Sequence, residues 1–329
     1  MRVSMRKVRW GVLGAAKIAL QKVIPAMQKG TLSEVTGIAS RDRAKAEAAA
    51  GPLDIPKVYG SYEEMLADPE IEAVYNPLPN HLHVPWTIKA AEAGKHVLCE
   101  KPIALNAAEA RELLAVRDRT GVVIGEAFMV QTHPQWIRIV ELVRSGRIGE
   151  LRSVVGSYGY TNVDPANVRN IAAYGGGGLM DIGCYPIKTS RMVFGAEPVR
   201  VSATMVRDPN FGVDILTSVI LEYPTGQCIF TCSTQIAPNQ SMRFFGTKGV
   251  ISPEIPFNAV PDAVARIVID NEVEEIAPCD QYTLQGDAFS RAIREGSAPP
   301  VPVEDAIRNM AVIDAVFRAA ASGGWEAVG

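Results

Sequence analysis

The sequence predicts an α/β protein built in two parts. An N-terminal doubly wound parallel sheet spans residues 1–126, and an α+β part with an open, mostly antiparallel sheet spans residues 127–329. Three observations predict this. Short apolar runs alternate with helical stretches as far as about Phe128, the pattern of a parallel sheet with helices on both faces. Beyond Phe128, β-type runs follow one another with few helices between the last of them, which calls for antiparallel pairing. A chain of 329 residues also exceeds one ordinary core.

The elements follow in order. Residues 8–13 form a short apolar strand, and 14–19 turn into a helix that runs to about Lys29 and is stopped by Gly30. Residues 35–39 are the second strand and 43–50 an alanine-rich helix. Ser61 and Glu64 make a capping box for a short helix. Strand 73–75, helix 83–93 and strand 96–99 come next. Asn106 and Glu109 open another capped helix that ends near Gly121, and strand 122–127 completes the alternation. Helix 135–144 then leads into β-type runs at 151–160, 199–206, 215–223, 227–235, 243–245 and 266–269. Helices 281–295 and 304–320 close the chain, the last free to pack back on the first part.

Composition narrows the function classes. A net charge of −3 with no basic block argues against nucleic acid as a partner, and no run approaches the length of a membrane span. The basic start, residues 1–9, is followed by an apolar stretch that Lys17 interrupts, so it reads as strand and turn rather than as a leader. The cysteines are five, an odd number, and Cys228 and Cys232 sit four apart in a β-type run. With only four histidines in the chain, no metal site is expected. The thiols read as reduced, in keeping with a cytoplasmic protein. The open sheet of the second part would expose a broad face, which predicts a homodimer or a homotetramer.

Two regions carry chemistry. The first βα turn reads Gly14-x-Ala16-Lys17-Ile18-Ala19, a degenerate dinucleotide fingerprint of the Rossmann type in which one of three glycines remains. At the end of the second strand, Ser40 occupies the place of the acidic residue that binds a ribose 2′-hydroxyl, and Arg41 offers a planar fork for a 2′-phosphate. That favours NADP. NAD stays open, because Asp42 reads equally as the cap of the next helix or as a ribose ligand. The second region pairs Glu100-Lys101-Pro102, at a strand end, with Asp181 and Tyr185, four residues apart on one helical face. A lysine near a phenol lets that phenol give or take a proton near neutral pH, the proton half of a hydride transfer between alcohol and carbonyl. Tyr185 also reads as a core tyrosine, Asp181 as a helix cap, and the run Gly175–Gly178 as a loop or as a surface for close approach.

These motifs, together with Pro77-Leu-Pro-Asn80-His81 and Gly175-Gly-Gly-Gly178-Leu-Met-Asp181-Ile-Gly183-Cys-Tyr185, closely resemble the glucose–fructose oxidoreductase/inositol dehydrogenase (Gfo/Idh/MocA) family over nearly the whole chain. The likeness is greatest to the branch of D-xylose and other aldose dehydrogenases and dimeric dihydrodiol dehydrogenase. Inositol dehydrogenases carry histidine where this chain has Tyr185. The resemblance implies Lys101, Tyr185 and Asp181 as the catalytic set, with a cis Lys101–Pro102 peptide. It implies cofactor contacts from Gly14, Ala16, Lys17, Ile18, Ser40, Arg41, Pro77, Asn80, His83, Glu100 and Lys101. Substrate contacts would come from Lys101, Phe128, His133, Arg169, Asp181 and Tyr185, with Asn167 beside them. The implied activity is NAD(P)-dependent oxidation of an aldose, a pentose or hexose, at its anomeric carbon to a lactone. Three alternatives remain: a non-catalytic NADP-binding regulator, an oxidoreductase with tightly bound cofactor that shuttles hydride between two sugars, and a trans-dihydrodiol dehydrogenase.

Overall fold

A computed structural model describes residues 6–329. Most of the basic start, residues 1–5, lies outside the described residues. Backbone contacts divide the chain into two compact units. One takes the chain up to Thr132 with Asp280–Ala306, and the other takes His133–Cys279 with Ile307–Gly329.

The first unit holds a six-stranded, wholly parallel sheet in the order β3-β2-β1-β4-β5-β6. Its strands are β1 (Val8–Leu13), β2 (Ser33–Ala39), β3 (Lys57–Tyr59), β4 (Ala73–Asn76), β5 (His96–Glu100) and β6 (Ile124–Ala127). The intervening helices are α1 (Ile24–Gln28), α2 (Arg43–Ala50), α3 (Tyr62–Ala67), α4 (His83–Glu92) and α5 (Ala107–Thr120). The expected capping holds: Ser61 accepts from the Glu64 amide at 3.0 Å, and Asn106 from the Glu109 amide at 2.9 Å. The single helix expected up to Lys29 begins instead with a π-helical turn, Ala19–Val23, before α1. Pro25 is the reason, since it has no N–H to give and its ring crowds the preceding turn.

The second unit carries a nine-stranded sheet ordered β14-β13-β12-β11-β7-β10-β9-β8-β15. The strands are β7 (Leu151–Thr161), β8 (Arg200–Arg207), β9 (Asp214–Tyr223), β10 (Gly226–Ser233), β11 (Gln235–Gly246), β12 (Val250–Pro253), β13 (Ala265–Ile269), β14 (Glu272–Ile276) and β15 (Trp325–Ala327). Pairing is antiparallel except between β7 and β10, which run parallel. Helices α6 (Pro134–Arg144) and α7 (Cys184–Phe194) cover one face. Trp136 of α6 meets Phe244 of β11 edge-on at 6.0 Å, and Tyr185 of α7 meets Tyr158 of β7 at 5.5 Å. The opposite face leaves Val155 and Ile229 about 40 % exposed.

Two helices end the chain, α8 (Gln281–Glu295) and α9 (Val303–Ser322). The sequence division at 126/127 assigned α8 to the second part, whereas its contacts are with the first unit. Phe289 packs on buried Trp10 at 5.6 Å, and Ser290 accepts the Trp10 indole N–H at 3.1 Å. Asp287 accepts the amides of Thr31 and Leu32 at 2.8 and 2.9 Å. An indole at the start of β1 needs both an apolar neighbour and an acceptor, and α8 supplies both.

Candidate active site

In the first unit, the expected cofactor residues gather at the carboxyl ends of the strands. Gly14 follows β1, Ser40 and Arg41 follow β2, Pro77–Asn80 follow β4, and Lys101 follows β5. The strand order reverses direction between β1 and β4, the switch point at which open α/β sheets bind their ligands.

Gly14 is the glycine that the fingerprint kept, and the backbone shows why. Its φ is +86°, a region closed to side chains with a Cβ. Among the described residues, only Asp54 and Asp270 adopt positive φ without being glycine, so Ala16 and Ala19 stand where a methyl costs nothing in backbone strain. A Cβ on Gly14 would come within 3.1 Å of Leu78 and 3.4 Å of the Tyr62 hydroxyl. The bare backbone at this turn therefore fits the close approach that a dinucleotide pyrophosphate requires. Lys17 is exposed beside it, and Ile18 is half-buried.

At the end of β2, Asp42 is committed to α2. Its carboxylate accepts the amides of Ala44 and Lys45 at 3.1 and 3.4 Å, and its own N–H donates to the buried Ser40 hydroxyl at 3.2 Å. Arg41 is exposed and hydrogen-bonded to the Tyr62 phenol. Burial raises that phenol, and the Arg41 charge opposes the rise. Tyr62 in turn meets Trp86 edge-on at 4.7 Å, with Lys89 4.1 Å above the indole. Tyr62 was not found from sequence. It opens the short helix after Ser61, and the signal was an aromatic at the first position of a helix following an edge strand.

Lys101 is half-buried, and its peptide to Pro102 is cis. The Glu100 carboxylate takes the Tyr75 hydroxyl at 2.6 Å and the Lys101 amide at 3.2 Å. His83 is 1 % exposed, with Nδ1 2.8 Å from the Pro102 carbonyl and Nε2 2.6 Å from the Leu78 carbonyl. Burial pushes the imidazole down to about 4, against the pull of the two carbonyls. The neutral ring has one N–H and donates to one of these two carbonyls at a time, according to its tautomer. Phe128, just past β6, is 1 % exposed, a core position.

In the second unit, Asp181 is the centre of a small network. Its Oδ2 accepts from the Tyr160 hydroxyl at 2.6 Å and from Arg169 Nε at 2.8 Å. Burial, and next the Asp181 charge, hold the Tyr160 phenol far above its ordinary value, so it stays a donor. The Asp181 charge, first among several causes, keeps Arg169 cationic, and the guanidinium also interacts electrostatically with Tyr185. Arg169 is thus tied to Asp181 directly. Asn167 accepts the Arg169 amide at 3.1 Å and closes the turn that presents it.

Asp181 is not a helix cap. It lies within a π-helical turn, Leu179–Gly183, that runs into α7, where Tyr185 stands. In a turn closed by i→i+5 bonds, four residues fall short of a full revolution, so the two side chains are offset rather than stacked. The capping is done by Asp214, 1 % exposed, whose Oδ2 accepts the Leu179 amide at 2.7 Å and the Thr217 hydroxyl at 3.0 Å. The glycine run makes room for it: Gly177 has φ +118°, and a Cβ there would sit 2.1 Å from Asp214 Oδ1. Sequence reading missed both Tyr160 and Asp214. Tyr158 and Tyr160 share a face of β7, which was the available signal for the first. Nothing local marked the second.

Tyr185 is 5 % exposed, its ring against Tyr158 and Phe257 at 5.5 and 5.2 Å. Asn258 donates to the Tyr158 hydroxyl at 2.6 Å. His133 is 2 % exposed and caps α6: Nδ1 accepts the Gln135 amide at 3.1 Å, and Nε2 faces Cys279 Sγ at 3.6 Å. Both of its ring nitrogens are engaged inside the unit, which gives it a structural role in place of the substrate contact expected. Among the described residues, no group of three or more His, Cys, Asp or Glu is arranged to hold a metal ion, and no helix is long and apolar enough to cross a membrane.

Residues 8–128 match the model of an oxidoreductase family with an NAD-binding Rossmann fold, and residues 136–252 match the GFO/IDH/MocA C-terminal domain. A D-xylose 1-dehydrogenase (NADP⁺) of Haloferax volcanii is 38 % identical over 95 % of this chain and 98 % of its own length. Among solved structures, an aldose–aldose oxidoreductase from Caulobacter crescentus, complexed with glycerol, superposes with a TM-score of 0.90. It is 29 % identical, over 98 % of this chain and 100 % of that one. A 3-ketoreductase from Actinomadura kijaniata, in complex with NADP and TDP-benzene, has a TM-score of 0.89 and 31 % identity, over 95 % and 98 % of the two chains.

Proposed function

The chain belongs to the Gfo/Idh/MocA oxidoreductase family, and from that premise we propose that it is an NADP-preferring aldose 1-dehydrogenase, oxidising a pentose or hexose at the anomeric carbon to the lactone. The observation that carries this reading is the placement of Lys101 at the carboxyl end of β5, on the sheet edge that also holds the Gly14 turn and Ser40–Arg41. A lysine on the cofactor edge brings the positive charge that a phenol needs in order to act as a base near neutral pH. The likeness to a D-xylose 1-dehydrogenase (NADP⁺) supports the substrate class.

Bound NADP⁺ supplies the hydride-accepting chemistry. Tyr185 takes the proton of the anomeric hydroxyl and returns it in the reverse reduction. Lys101 stabilises the phenolate and hydrogen-bonds the reacting oxygen. Asp181, already holding Arg169 and Tyr160, orients the sugar. Arg41 takes the 2′-phosphate through its guanidinium, because Asp42 is occupied as a helix cap. Pro77, Asn80 and Glu100 line the cofactor edge beside Lys101.

A second reading, transfer of hydride between two sugars on one retained cofactor, is favoured by the likeness to an aldose–aldose oxidoreductase. Absorbance of reduced nicotinamide, followed with NADP⁺ or NAD⁺ and a panel of aldoses, separates the two. Growth with one aldose and NADP⁺ supports the dehydrogenase. Silence, with reduced nicotinamide already present in the purified protein, favours the second.

We also propose a homodimer, closed through the outer face of the nine-stranded sheet. Strand register sets Val155, Ile229, Ile220, Ser202 and Trp325 in one row across five strands, and Val155, Ile229 and Trp325 are 41, 38 and 44 % exposed. A row of this kind, apolar at four of its five positions, is a pairing surface. Light scattering of Ile229→Asp should report a monomer where the unmodified protein reports a dimer. A monomer in both removes the proposal.

A further inference from the structure

We infer that two buried polar side chains outside the reacting set, Tyr75 and Glu126, are positioning residues that fix Lys101 by gripping the turn on both sides of it. The inference rests on the proposed role of Lys101 in proton transfer and adds how that lysine is held. The turn Glu100–Ile103 leaves β5 with three anchors from three other elements. Tyr75 of β4, 0 % exposed, donates to Glu100 Oε1 at 2.6 Å, while the other oxygen of Glu100 takes the Lys101 amide at 3.2 Å. His83 at the start of α4 holds the Pro102 carbonyl at 2.8 Å. Glu126 of β6, 2 % exposed, accepts the Ile103 amide through Oε1 at 2.9 Å.

Burying a phenol and a carboxylate in a sheet core is costly unless each is hydrogen-bonded. A sheet seeking stability alone would place apolar residues at both positions. Each side chain is instead directed at the Glu100–Ile103 turn, Tyr75 at the residue before Lys101 and Glu126 at the second residue after it. A long, flexible lysine loses reach and angle when its backbone shifts, and a misplacement of about 1 Å at a reacting group costs on the order of 100-fold in rate. The clamp removes that freedom before substrate arrives. His83 also lies 2.6 Å from the Leu78 carbonyl through Nε2, so its single proton serves either the lysine turn or the Pro77–Asn80 segment.

The test compares Tyr75→Phe, Glu126→Ala and Glu126→Gln with Lys101→Ala in the full-length protein. D-xylose or D-glucose with NADP⁺ is the probe for turnover, and hydrogen exchange of the peptide covering 100–103 reports the turn. The expected result is a 10–100-fold loss of kcat in Tyr75→Phe and Glu126→Ala, with KM and NADP affinity unchanged within about threefold and faster exchange at Ile103. Glu126→Gln, which keeps an acceptor for that amide, should restore most of the rate. If Lys101→Ala collapses turnover while Tyr75→Phe and Glu126→Ala keep it, the clamp is overturned and the role of Lys101 stands. If those variants lose NADP binding or folded protein in step with rate, their role is structural and the inference is also overturned. If Lys101→Ala retains full turnover, or the unmodified protein oxidises neither sugar, the reading beneath the inference falls and takes the inference with it.

Discussion

Replacing Arg41 by alanine should convert a cofactor preference into near-indifference. Arg41 is exposed, hydrogen-bonded to Tyr62, and sits next to an Asp42 whose carboxylate is spent on two amides of α2. With Asp42 Oδ1 engaged by both amides at the start of α2, we assign discrimination to the guanidinium. A unit charge pair at about 4 Å is worth ~1 kcal/mol in bulk water and ~4 kcal/mol at an effective dielectric of 20. Arg41 is solvent-exposed, so the lower half of that range applies, and charge-assisted hydrogen bonds to a phosphate of about −1.5 charge bring the sum to about 1.5–3 kcal/mol. Arg41→Ala should therefore weaken NADP⁺ by roughly 10–150-fold and leave NAD⁺ within about twofold. Titration calorimetry with each nucleotide measures both constants, and the NADP⁺ penalty should shrink as salt is raised. Equal weakening of the two nucleotides, or no change in either, would refute the argument from Asp42 and Arg41.

Other outcomes follow from the same structure. Gly177→Ala should lose at least about 2 kcal/mol of stability, because the site has φ +118° and its Cβ would strike Asp214; Gly178→Ala, at φ −68° with its nearest neighbour at 3.4 Å, should be tolerated, and thermal unfolding compares the two. Tyr160→Phe removes one donor from Asp181 and leaves Arg169 in place, so about 1 kcal/mol is lost, which a denaturant titration reads. Stability should also fall with acid above the carboxylate range. Burial lowers His83 to about 4 from an ordinary 6.5, and lowers His96 and His133 in the same sense. Between those values the unfolded chain binds more protons than the folded one, so stability is full above pH 6.5 and is lost as pH falls toward 4. His83 alone accounts for about 3 kcal/mol of that loss. Unfolding free energies equal at pH 7.5 and 4.5 would contradict it.

Much of the first unit was legible in the sequence because each βα step carries its own punctuation: Gly30, Ser61 with Glu64, Asn106 with Glu109, Gly121. The missed strands, β3, β12, β14 and β15, are three to five residues long, too short to show a period. β3 is three residues at the edge of its sheet, and β14 reads Glu-Val-Glu-Glu-Ile, charges that protect an edge while hiding its period. The first half of β11, Gln-Ile-Ala-Pro-Asn-Gln, contains Pro238 and no alternation of apolar with polar residues, so its pairing with β7 left no period to find. The candidate site divides in the same way. Gly14, Lys101, Asp181 and Tyr185 sit in local motifs. Asp214, Tyr75 and Glu126 act across 35, 25 and 23 residues of chain, through contacts that only the sheets create. His133 had the opposite fate: the resemblance implied a substrate contact, and the fold uses it as the cap of α6.

The central claim is that Tyr185 moves the proton with the help of Lys101. Its most direct test is steady-state turnover of D-xylose and other aldoses with NADP⁺ by Tyr185→Phe and Lys101→Ala, beside nucleotide affinity in the same preparations. The account predicts a fall in kcat of ~10²–10⁴ in each, with NADP⁺ still bound. Turnover equal to that of the unmodified protein in either variant would contradict it.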